Sequence, residues 1–204
     1  MWRKWLGPKA RIIGIDLNPE AYRWKDHGFE IYIGDQGDPN FWLETLPQIG
    51  QFDIFLDDGG HQSFQQIVTA TEAIKHATKK CIVAIEDTHT SFMNDFKSHG
   101  ENTFLNYAKD STDIITIKGS KMYPNRFNQP TNTEVIKLFA KTHSIQFFNS
   151  LVAFKIDPEN TIEPAVVWNK KESTPSDFRY HGANKATALW PDPYKNELKI
   201  IHGG

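Results

Sequence analysis

Phe52-Asp53-Ile54-Phe55-Leu56-Asp57-Asp58-Gly59-Gly60-His61 is the stretch that decides the fold. Residues 52–56 form a short run rich in β-branched and aromatic residues, and it breaks at once into two acids, two glycines and a histidine. This is the pattern of a buried strand running into a polar turn. Ser63 is expected to cap a helix that follows, with apolar residues at Phe64, Ile67, Val68, Ala70 and Ile74, the spacing of one helical face. Lys79-Lys80 closes that helix with charge that suits its dipole. Cys81 to Ile85 is the next strand, and it too runs straight into acids, Glu86-Asp87.

The same alternation extends upstream. Ala10 to Asp16 reads as a strand closed by the turn signal Asn18-Pro19, Pro19 to Gly28 as a short helix, and Phe29 to Ile33 as a strand meeting Gly34-Asp35. Asn40 to Leu46 reads as a helix entered through Asp38-Pro39. Strand and helix in alternation predict a parallel sheet with crossover helices. Downstream the pattern changes. Thr133 to Lys141 reads as a helix, and Ser144 to Phe148 and Leu151 to Ile156 as strands joined by the turn Asn149-Ser150. An α/β domain over residues 1–157 is expected, its sheet mostly parallel with a C-terminal antiparallel hairpin. Residues 158–204 are polar and rich in Asn, Lys, Pro and Gly. They are expected to form an irregular tail, with Tyr180, Trp190 and Tyr194 anchoring it or covering a sugar or an interface.

Bulk properties narrow the class. The chain has 204 residues, enough for one full core, with 39% hydrophobic and 24% charged residues, an ordinary globular balance. A net charge of -2 and no basic run argue against nucleic acid or anionic lipid as a partner. One cysteine, Cys81, sits in an apolar run and reads as inert core, so a reducing compartment is expected. No apolar stretch approaches the ~20 residues of a membrane span. No signal-peptide core follows Met1, and cytoplasm is the expected location.

Acids close four predicted strands: Asp16, Asp35, Asp57 with Asp58, and Glu86 with Asp87. Ligands of open α/β sheets bind in the crevice beyond the carboxyl ends of the strands. Several carboxylates converging there repel one another unless a ligand donor or a cation offsets the charge. Carboxylate oxygens suit magnesium, calcium or manganese. Gly59-Gly60 allows a tight turn that lets Asp58 and His61 face the crevice together, and His61, as a histidine, could act there as a general base. Asp58 could instead cap the helix near Ser63, and Asp16 could be a plain turn acid. Asp16 otherwise fits ribose hydroxyls, and Asp35-Gln36 the edge of an adenine.

Taken together, Ile13-Gly14-Ile15-Asp16-Leu17-Asn18-Pro19, Gly34-Asp35-Gln36, Phe52 to His61 and Ile85-Glu86-Asp87-Thr88-His89-Thr90-Ser91 resemble the metal-dependent, S-adenosylmethionine-dependent O-methyltransferases of macrolide-sugar type, to which cephalosporin-hydroxylase-like proteins are related. The resemblance covers residues 1 to about 155. It implies a Rossmann-like class I methyltransferase sheet, with S-adenosylmethionine and Mg2+ as cofactors. Asp58, Glu86 and Asp87 match the metal ligands and His61 the general base. Asp16, Asp35 and Gln36 match cofactor contacts, while Asp57 supports the turn or the cofactor. The acceptor it implies is a hydroxyl of a sugar or glycosylated small molecule. In the family a first strand and a glycine-rich loop precede the segment that here starts at Met1. The expected sheet is therefore N-terminally truncated, with a strand absent between those ending at Asp16 and Asp57, and the exposed edges predict self-association.

Other readings stay open at this level. Asp58, His61, Glu86 and His89 would also suit an iron site with two histidines and a carboxylate, hence an oxygenase. A catalytically silent, methyltransferase-like binding module would keep the sheet without the cofactor. Paired acids also serve phosphoryl transfer, though no phosphate loop is present. His89 either contacts substrate or is a plain loop residue.

Overall fold

The computed structural model describes residues 1–96, 102–116 and 137–161. The chain divides into Met1–Ala165 and Val166–Gly204, and all described residues lie in the first unit. Of the expected tail, residues 162–204 lie outside the described residues, as do Tyr180, Trp190 and Tyr194.

Described strands and α-helices follow in the order α1 (Trp2–Leu6), β1 (Ile13–Asp16), β2 (Glu30–Ile33), α2 (Pro39–Ile49), β3 (Ile54–Asp57), α3 (Ser63–His76), β4 (Cys81–Glu86), α4 (Phe104–Thr116), β5 (Thr142–Phe148) and β6 (Leu151–Ile156). The alternation read from the sequence is present, with shifted ends. Pro19–His27 is a 3-10 helix and not an α-helix; Asn18 caps it and Gly28, left-handed at φ 79, closes it. α2 begins one residue before the expected Asn40 and runs three past Leu46. Asp38 accepts from the Asn40 N–H at 2.9 Å, and Pro39 sits in the first turn, where its missing N–H costs nothing. Ser63 is not the cap of α3. Gln62 holds that position, its N–H donating to the Gln65 side chain at 3.3 Å, while Ser63 is the first helical residue and fully buried. Nor do Lys79-Lys80 close it: the last turn carries Lys75 and His76. Helix α4 was not expected from the sequence. Of the predicted helix 133–141, the described residues 137–139 are helical.

Strands β1 and β2 pair in parallel, as do β3 and β4; β6 runs antiparallel between β4 and β5. The hairpin Phe148–Leu151 turns through Asn149-Ser150, with Ser150 at φ 60. The described strands form two sheets, β1-β2 and β3-β4-β6-β5. The break falls between the strands ending at Asp16 and Asp57, where the resemblance implied an absent strand. Among the described residues no strand pairs with the outer edge of β3, and Ile54 and Leu56 stay exposed.

Alternation within β4 explains the packing. Val83 and Ile85 point to one face and meet Val152, Phe154, Ile74 and Phe104, all essentially inaccessible to solvent. Packing across the break between the sheets rests on α2. Its Trp42, 2% exposed, belongs with Leu46 and Ile49 to a cluster that takes in Ile13 and Ile15 of β1, Tyr32 of β2 and Phe55 of β3. The Trp42 and Phe55 rings lie 5.7 Å apart. Strands of both sheets are thus set against one helix. No helix among the described residues is long and apolar enough to cross a membrane.

Candidate metal centre

The turn after β3 is built by side chains that crowd its glycines. A Cβ at Gly59 would lie 2.2 Å from the Gln36 Oε1, and one at Gly60 2.3 Å from the Gln65 Oε1. Neither glycine has a positive φ. Close approach, and not left-handed backbone, is what requires glycine here. Gln36 fills that space: its Oε1 accepts from the Gly60 N–H at 2.6 Å, and its Nε2 donates to both Asp57 oxygens at 3.1 Å and to the Thr69 Oγ1 at 3.2 Å.

Asp57 is buried by this arrangement. Its Oδ1 also accepts from the Gly59 N–H at 3.1 Å. Burial pushes its carboxyl up to about 6, against the opposing pull of the Gln36 and Gly59 hydrogen bonds. Asp58, the next residue, is exposed. It forms with His61 and Asp87 a group in which one ligand atom from each lies within 4.8 Å of the others. The His61 Nε2 stands 3.5 Å from the Asp87 Oδ2. Asp87 holds a left-handed conformation, φ 54 and ψ 35, at the sharp exit from β4. The two carboxylates are donors that fit a hard divalent cation such as magnesium or manganese, with the imidazole standing beside them.

Glu86 is not part of that group of three. It is the last residue of β4, and its carbonyl accepts from the Gln66 Nε2 at 3.0 Å. The register pairs Asp57 with Ile85, so continuing it by one residue sets Asp58 beside Glu86. His89 also lies outside the group: its Nδ1 is 2.6 Å from the Ser150 Oγ and 3.7 Å from the Asp87 Oδ1. The described geometry therefore gathers one histidine with two carboxylates, not the two histidines that the iron reading needs.

The acids of the other sheet are placed differently. The Asp16 Oδ1 accepts from the Asn18 N–H at 2.8 Å, and the Asp35 Oδ1 from the Gly37 N–H at 2.7 Å. Each turns its strand end from an exposed residue, and a carboxylate's further acceptor capacity fits hydroxyl or amino donors of a nucleoside. Gln36 gives its amide to Asp57, Gly60 and Thr69. Its backbone carbonyl accepts from the Trp42 Nε1 at 2.8 Å. Sequence reasoning missed this brace, and it missed the loop contacts of Thr90 and Ser150; the only sequence signal was their nearness to the acids and the hairpin turn.

Acids thus stand beyond two adjacent parallel strands, β3 and β4, of a sheet whose other edge is antiparallel. No protein-family model matches the chain. The solved MycE methyltransferase of the mycinamycin pathway shares the fold. One crystal form superposes with a TM-score of 0.64 at 20% identity over 76% of this chain and 39% of that one. Another gives 0.66 at 18% identity over 100% of this chain and 45% of that one.

In sequence the chain resembles the sugar O-methyltransferases of macrolide and related pathways. It is 26% identical over 156 residues to mycinamicin VI 2''-O-methyltransferase of Micromonospora griseorubida, covering 72% of this chain and 37% of that protein. It is 28% identical over 97 residues to demethylmacrocin O-methyltransferase of Streptomyces fradiae, covering 47% of this chain and 24% of that protein. The chain thus spans well under half the length of these curated relatives.

Proposed function

We propose that the chain carries the metal centre and part of the cofactor site of an S-adenosylmethionine-dependent, Mg2+-dependent O-methyltransferase that acts on a hydroxyl of a sugar or glycosylated small molecule. The observation that carries this reading is the convergence of Asp58, His61 and Asp87 within 4.8 Å at the ends of β3 and β4. The relatives support it by name. MycE was solved with Mg and SAH, and also with mycinamycin VI.

Asp58 and Asp87 would hold the cation, with Glu86 joining them from the neighbouring register position. When bound, the cation supplies Lewis acidity toward an acceptor hydroxyl, and S-adenosylmethionine supplies the methyl group. His61 is the general base. Its ring is half-buried beside Asp87, and from there it would take the proton of an acceptor hydroxyl. Asp87 lies 3.5 Å from the His61 Nε2. Asp16 and Asp35 would accept from the cofactor's ribose and adenine. Gln36 and Asp57 hold the wall between cofactor and metal. Much of the rate gain would come from placing acceptor and donor in line.

Calorimetric titration with S-adenosylmethionine, with and without Mg2+, tests this function. Saturable binding is the expected outcome, and absence of binding under both conditions would favour a binding module that keeps only the sheet. His61→Ala is expected to abolish methyl transfer while sparing cofactor binding; a fully active variant would remove His61 from its role.

A further inference from the structure

Two loops carry the candidate centre, and one buried side chain ties them together. Thr90 is 3% exposed, and its Oγ1 lies 3.0 Å from the carbonyl oxygen of His61 and 2.8 Å from that of Asp87. A threonine hydroxyl has a single proton, so the two carbonyls share it. The Thr90 N–H donates to the same Asp87 carbonyl at 3.0 Å. Asp87 is one of two described non-glycine residues with positive φ, a conformation that side chains disfavour. Two bonds from Thr90 therefore act on the peptide that holds this unfavourable backbone. A third contact fastens the other loop, at the residue whose ring faces Asp87.

The tether matters because the centre must be assembled against its own charge. Asp58 and Asp87 are both acids, and bringing their carboxylates within 4.8 Å favours separation of the loops when no cation lies between them. Asp58 and His61 sit on the loop after β3, Asp87 on the loop after β4. Across that boundary the Thr90 hydroxyl opposes the separation.

We infer that Thr90 is a positioning residue of the metal centre: its shared hydroxyl proton fixes the spacing between His61 and Asp87 and so keeps the site ready for a divalent cation. The inference rests on the metal-site reading above. A purely structural role would be visible as lost stability alone. A positioning role changes metal affinity at unchanged fold.

Mn2+ binding to the full chain, followed by electron paramagnetic resonance of the free ion, separates the two. Thr90→Val, which keeps the shape and removes the donor, is expected to weaken Mn2+ binding by about tenfold, as for groups that orient a metal ligand. Thr90→Ser restores the donor and is expected to bind as the native chain does. Thermal melts without metal show whether the variants stay folded. Native affinity in a folded Thr90→Val variant overturns the inference, and so does a Thr90→Ser variant as weak as Thr90→Val. Should Thr90→Val not fold, Thr90→Ser against Thr90→Ala gives the same contrast: equal affinities overturn the inference, and a weaker alanine variant upholds it. If the native chain itself takes up no Mn2+, the metal reading fails and the inference falls with it.

Discussion

Acids close the strands of both sheets, but the sheets use them in opposite ways. At the ends of β1 and β2, Asp16 and Asp35 each accept from the backbone N–H two residues on, at 2.8 and 2.7 Å. A lone acid at a strand end is thus drawn into its own turn. β3 ends in two acids. Asp57 takes the same local bond, to the Gly59 N–H at 3.1 Å, and this leaves Asp58 free to face Asp87 and His61. Doubling the acid separates two jobs that a single acid must combine: one carboxylate shapes the turn, and the other is presented to the crevice.

The largest expected effect concerns what joins the two halves. Trp42 packs against residues of both sheets and donates to the Gln36 carbonyl. Trp42→Ala is expected to cost about 3–5 kcal/mol, the range for a buried aromatic cut to alanine. Urea unfolding measures it. A loss below ~1 kcal/mol, under that range, would mean that the halves do not depend on α2.

A smaller effect isolates Asp57. Its folded carboxyl titrates at about 6, above the ordinary value of 3.8. The folded chain therefore holds this proton more tightly than the unfolded chain, and the protonated group favours folding. That contribution is fully present below the unfolded value and is lost as pH rises through about 6. Metal-free protein should lose up to about 3 kcal/mol from this group between pH 4 and 6. Asp57→Asn should flatten that part of the stability profile. An unchanged slope in the variant would place the titration elsewhere.

Asp16→Ala gives the smallest effect and sharpens the contrast. It removes a turn bond and is expected to cost about 1 kcal/mol, while leaving Mn2+ affinity at its native value. A large fall in metal affinity would show that the two sets of acids are not separate.

The sequence made the alternation of strand and helix legible because each buried strand is a short apolar run stopped by an acid. Ile54 to Asp57 and Cys81 to Glu86 stand within a residue or two of where they were expected. Helix α4 was hidden: its buried residues Phe104, Ala108 and Ser111 include one small and one polar side chain, a weak apolar stripe. Ser63 was misread as a cap because serine is a usual acceptor for the free N–H groups of a helix start, whereas Gln62 and Gln65 take that place here. The site residues were legible as chemistry, by type and place. Which acids converge was not, because that depends on Gln36 reaching 21 residues along the chain to Asp57. Thr90 and Ser150 act through a carbonyl tether and a hairpin contact, for which no residue pattern exists.

Convergence of Asp58 and Asp87 on one cation, with His61 beside them as base, is the central claim. It is tested most directly by titrating Mn2+ into the native chain and into the double variant Asp58→Asn/Asp87→Asn. The native chain should bind one Mn2+, displaceable by Mg2+, and the double variant should lose on the order of 100-fold in affinity or more, beyond what orienting groups alone cost. A native chain without saturable binding, or a double variant that binds equally well, would contradict the account.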